Sequence, residues 1–127
     1  MRNILLVTTA LISSTAFGAE AEETYRLTVS RGEAITVFRV EKRGTKNFLV
    51  VSEQSGRQTE RSLRPDDLAY LNEKVSAVPA AKEAGCGRAH FALAAAATGS
   101  EIKACGERLS ATGKALQALA NLLAAYR

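Results

Sequence analysis

The hydrophobic pattern of this chain changes period at Arg64-Pro65-Asp66-Asp67, and that switch constrains the fold more than any other feature. Upstream the pattern is period two. Tyr25, Leu27 and Val29 alternate with Arg26, Thr28 and Ser30, which reads as a half-buried strand. Arg31 and Gly32 read as a turn. Residues 34–41 read as a second strand whose apolar phase shifts between Val37 and Phe38, so it is either covered on both faces or bulged. Gly44 and Thr45 mark the next turn, and residues 47–53 form a third strand, apolar in both phases. Ser55 and Gly56 turn the chain again. Residues 57–63 form a polar fourth strand suited to a sheet edge, where charge discourages unwanted pairing. Short loops that each carry a glycine imply an antiparallel meander. The acidic stretch Glu20, Glu22 and Glu23 reads as a frayed tail.

Downstream of the switch the period is helical. Pro65 suits a first helical position, where its missing N–H has no partner to lose. Asp66 and Asp67 oppose the positive end of the helix dipole. Leu68, Leu71, Val75 and Val78 form one apolar stripe, flanked by Tyr70, and Pro79 closes the segment. The following stretch is ambiguous. Its alanines favour helix, whereas Phe91 and Leu93 in alternation favour a strand returning through residues 102–106. The hairpin is the preferred reading, with Ala97 opposite Ile102 and Ala94 opposite Cys105. The last segment is a helix that Ser110 or Thr112 can cap, carrying Leu116, Leu119, Leu122, Leu123 and Tyr126. With so few polar residues it must be buried within the domain or against a partner.

At the N-terminus, Arg2 precedes an apolar run from Ile4 to Ile12 and a small-residue region ending at Gly18. This is the layout of a secretory signal peptide spanning residues 1–18, with a second small-residue site placing cleavage as late as 21. The run is far shorter than the roughly 20 residues of a membrane-spanning helix. The expected mature chain, residues 19–127, has the size of a single small α+β domain. Export points to the periplasm of a bacterium or the extracellular space. The formal charge of +4 is spread among interspersed acids and bases. Lys42, Arg43 and Lys46 cluster at a hairpin end, but no concentrated basic stripe marks a nucleic-acid binder.

Cys86 and Cys105 are the only cysteines and His90 the only histidine. In an exported chain two cysteines read first as a disulfide. A zinc site built from Cys86, His90 and Cys105 lacks a fourth ligand. A Cys86–His90 nucleophilic pair needs a thiolate that an oxidising compartment does not preserve. Asp66 and Asp67 have a sufficient structural role at their helix start. No GxSxG, HExxH, phosphate-binding loop or dinucleotide fingerprint is present. The sequence therefore implies no catalytic residue, no cofactor and no metal.

The expected fold is α+β: a four-strand antiparallel meander, a helix, a two-strand hairpin and a C-terminal helix, braced by Cys86–Cys105. In layout and size this is similar to small exported α+β modules, among them bacterial inhibitors of secreted hydrolases and effector immunity proteins. No motif carries that likeness, so no functional residue follows from it. The expected function is non-catalytic binding of another exported protein, as an inhibitor or immunity-type protector. The alternative is an envelope assembly component that oligomerises through its apolar C-terminal helix.

Overall fold

The computed structural model describes residues 21–79, 90–96, 99–105 and 110–126. Among these residues, six strands and two helices follow in the order β1 (Ala21–Arg31), β2 (Ala34–Arg43), β3 (Lys46–Glu53), β4 (Gln58–Leu63), α1 (Pro65–Ser76), β5 (Phe91–Ala95), β6 (Ser100–Ala104) and α2 (Ala111–Tyr126). All six strands belong to one antiparallel sheet, ordered β4-β3-β2-β1-β5-β6. The α+β reading holds, and the second hairpin does not stand apart. It docks through β5 on the free edge of β1, so β1 becomes a central strand.

Cross-strand register explains which side is buried. Leu27 lies opposite Phe38 on one flank and Leu93 on the other, and Val40 opposite Tyr25 and Leu49. These residues share one face with Val29, Val51, Phe91 and Ala104. Leu71 and Val78 from the α1 region and Leu116, Leu119 and Leu123 from α2 join the same buried cluster. Both helices therefore cover one face of the sheet. Polar β4 occupies one edge, as its composition predicts, and only Leu63 of that strand is buried. The β1–β2 and β2–β3 connections are two-residue turns that open on Gly32 (φ 62) and Gly44 (φ 64). Glycine adopts this left-handed conformation without a Cβ clash, and the resulting twist matches that of the strands.

The helix ends follow the sequence signals. Asp67 accepts the Arg64 backbone N–H at 3.2 Å, and the Ser110 hydroxyl accepts the Gly113 N–H at 3.1 Å. Ser110 is thus the cap of α2, whereas Thr112 is buried in its first turn.

Several expectations need correction. Glu22 and Glu23 are not a frayed tail. They pair in β1 opposite Lys42 and Glu41, after which a bulge at residues 23–25 resets the register. That pairing is possible because β2 runs on to Arg43, two residues further than its hydrophobic pattern indicates. Glu20 lies outside the described residues. Arg31 is the last residue of β1, and the turn is Gly32-Glu33. The phase change in β2 reflects no bulge there, because its register with β3 is continuous.

The second hairpin pairs Ala95 with Ser100 and Leu93 with Ile102. This register differs from the expected one, in which Ala97 faced Ile102 and Ala94 faced Cys105. It sets Leu93 beside Ile102 and Phe91 beside Ala104 on the core face, and places Gly99 (φ 65) in the turn. The return strand ends at Ala104, before Cys105.

Candidate functional site

On the helix-free face of the sheet, the charged residues of β2 and β4 form a bonded network. Arg43 donates to both carboxylate oxygens of Glu60, from Nη1 at 2.9 Å and from Nη2 at 3.2 Å. It also donates to Glu41 Oε1, from Nη2 at 3.0 Å and Nε at 3.3 Å. Its guanidinium carbon lies 4.7 Å from the Phe48 ring centroid. Arg39 approaches the other Glu41 oxygen at 3.2 Å, so the carboxylate of Glu41, a residue only 7% exposed, is neutralised from two sides. Hydrogen bonds from Arg43 hold the Glu60 carboxyl below its usual range, and Glu60 and Glu41 push the Arg43 guanidinium further up. Val50, in register between Arg39 and Glu60, is fully buried on this face. The apolar runs in both phases of β3 thus have two separate covers, helices on one side and charged side chains on the other. Of the three bases at this hairpin end, Arg43 is therefore bonded into the sheet face, while Lys42 and Lys46 are exposed.

The residues weighed for chemistry do not converge. Asp66 and Asp67 stay in the first turn of α1, and Arg64 Nε lies 3.6 Å from Asp67. His90 is half-buried just before β5. Its backbone N–H donates to Ala104 and its carbonyl accepts from Ser30, while its ring meets Phe91 edge-on at 4.6 Å. Burial, followed by the nearby Arg31 charge, pushes the imidazole down from its usual value. Cys105 follows β6 and is half-buried. Cys86 lies outside the described residues, so the pairing of the two sulfurs and the Cys86–His90 relationship lie there too. Among the described residues, no group of three or more histidine, cysteine or acidic side chains is placed to hold a metal. No helix among them is long and apolar enough to cross a membrane.

Two open clefts flank α2. The first, of about 420 Å³, runs between the helices and is lined by Tyr70 and Lys74 of α1 and by Ala118, Leu119 and Leu122 of α2. Tyr70 is 44% exposed, and the Lys74 ammonium lies 5.1 Å from its ring centroid. The second, of about 280 Å³, lies on the other flank of α2, against the β1–β2 hairpin. Val29, Phe38 and Ala124 give it apolar walls, and Arg31, Thr36 and Asn121 supply polar groups.

Sequence reasoning treated Tyr70 as a flanking residue and Arg31 as part of a turn. The signal for Arg31 was present: it continues the 25, 27, 29 phase, which carries it to the helix side of the sheet at the point where α2 no longer covers it.

No protein-family model, curated protein or solved structure matches the chain.

Proposed function

We propose that this chain is a small exported, non-catalytic binding protein that engages another exported protein through the surface flanking α2, as an inhibitor or immunity-type protector. The observation that carries this reading is the interhelical groove. Tyr70 stands exposed over a floor of Leu119 and Leu122, and a rigid aromatic beside an apolar floor is the side-chain chemistry that dominates protein–protein contacts. The neighbouring helix surface adds little charge to desolvate, because Lys114 is the only ionisable residue of α2 before Tyr126.

Three finer features belong to this proposal. Residues 1–18 are a signal peptide. The mature chain acts in the periplasm or outside the cell. A Cys86–Cys105 disulfide braces the domain, a pairing supported by the expected export of the chain and by the spacing of the two cysteines. A mass consistent with a chain beginning at Ala19, found in the exported fraction, tests the first two together.

Affinity capture from an envelope extract tests binding. Wild-type protein retains a specific polypeptide, and the Ala118→Glu variant, which places a carboxylate in the groove, loses it. Equal capture by both proteins contradicts the reading.

An assembly role is favoured by one observation, the alanine-rich exposed side of α2 at Ala111, Ala118, Ala124 and Ala125. Sedimentation separates it from the first reading. A monomer at all concentrations removes self-association.

A further inference from the structure

The polar side chains lining the cleft between the β1–β2 hairpin and α2, Arg31, Thr36 and Asn121, can each donate a hydrogen bond. Among the described residues Arg31, on the helix side of the sheet, has no ion-pair partner, whereas Arg26, Arg39 and Arg43 on the opposite face each have one. Asn121 already accepts a hydrogen bond from Gln117 at its side-chain oxygen, at 3.1 Å, which leaves its NH₂ group as the part free to bond. The Thr36 hydroxyl can donate as well. Below these groups the walls are Val29, Phe38 and Ala124. A guanidinium and an amide N–H at the rim of an apolar recess complement a negative group attached to an apolar one. Arginine's planar fork matches a carboxylate in particular.

The volume, about 280 Å³, lies at the low end for small-molecule pockets. It suits one terminal residue whose preceding chain leaves through the open side.

We propose that this cleft binds the C-terminal carboxylate of a partner polypeptide ending in an aliphatic residue, with Arg31 and Asn121 holding the carboxylate and Val29, Phe38 and Ala124 receiving the side chain. The inference rests on the binding-protein reading and names the recognised chemistry. Capture of a chain terminus is an established mode of peptide recognition, and a cation aimed at a carboxylate supplies specificity as well as affinity.

The test is a calorimetric or NMR titration of the full-length mature protein with three probes. These are an acetylated pentapeptide ending in leucine with a free carboxylate, the same peptide as its C-terminal amide, and hexanoate. The free-acid peptide binds, with shifts confined to residues around Arg31, Thr36 and Asn121. The amide binds at least about tenfold more weakly, as expected for loss of a charge-assisted hydrogen bond. Arg31→Gln costs a similar factor, and Arg31→Lys restores part of it.

Equal affinity for acid and amide overturns the proposal, as does binding unaffected by Arg31→Gln. Hexanoate binding without peptide binding overturns it in favour of a free aliphatic acid. If the captured partner is retained by Arg31→Gln but lost by Ala118→Glu, the cleft assignment fails while the binding-protein reading stands.

Discussion

Arg43 spans the helix-free face of the sheet from above Phe48, its guanidinium carbon 4.7 Å from the ring centroid. From there it donates to Glu41 on its own strand and to Glu60 two strands away. One side chain thus ties β2, β3 and the edge strand β4 together. The arrangement depends on a planar, multidentate cation, which lysine cannot supply.

Replacing Arg43 with Gln is expected to lower stability in urea unfolding by about 1 kcal/mol, since the pairs are partly exposed and screened. Arg43→Lys is expected to recover less than half of that loss.

The same bonds depress the Glu60 pKa in the folded protein. A carboxylate depressed on folding stabilises above its unfolded pKa, and that contribution disappears as pH falls through the folded value. NMR titration of the Glu60 carboxyl should give a midpoint below the ordinary glutamate range in wild type and a return toward it in Arg43→Gln. An unchanged midpoint would remove Arg43 as the cause.

Tyr25 is fully buried, and among the described residues its hydroxyl has no hydrogen-bond partner. Burial, followed by Tyr126, raises its pKa far above the usual phenol value. A buried donor without a partner costs stability. Tyr25→Phe is therefore expected to be neutral or stabilising by up to about 1 kcal/mol, whereas Tyr25→Ala should cost about 3–5 kcal/mol by opening a core cavity. Thermal or urea unfolding of the two variants distinguishes the hydroxyl from the ring.

His90 is the only histidine, so its ring proton reports a single titration. Its folded pKa is lowered by burial and then by Arg31. Protonation therefore favours the unfolded chain. The contribution is complete above the ordinary histidine pKa and is lost as pH falls through the folded value. The titration midpoint should lie below the usual value, and Arg31→Gln should raise it by less than the whole shift, because burial is the larger cause.

The proposed brace makes a separate prediction. Unfolded, unreduced protein should show no reactive thiol. Reduction should lower stability by roughly 3 kcal/mol, the chain-entropy expectation for a loop of this length. Two titratable thiols in the exported protein would refute the Cys86–Cys105 bond.

The sheet was legible where one physical effect acted alone. Tyr25, Leu27 and Val29 alternate because one face of β1 meets the helices and the other does not, and Pro65 with two aspartates announces α1 unambiguously. Legibility failed where two effects overlapped. Val50 is apolar on the helix-free face of β3 because its neighbours Arg39 and Glu60 belong to one network, Arg39 bonded to Glu41 and Glu60 to Arg43, a relationship between strands that no local window contains. Arg31 keeps the buried phase but stands beside a glycine, so turn chemistry masked its position at the cleft. The second hairpin was recognised although its alanines favour helix, yet its register depended on matching Leu93 with Ile102 across the pair. The Tyr70 groove requires α1 and α2 to be placed side by side, and their separation in sequence conceals that.

In the proposed function the flank of α2 meets a different polypeptide. A photo-crosslinking residue placed at Ala118 and, as a control, at Lys46 tests it most directly in the compartment where the protein resides. A single heterologous adduct is expected from position 118 and none from position 46. An adduct of twice the chain's own mass, or no adduct at position 118, would contradict it.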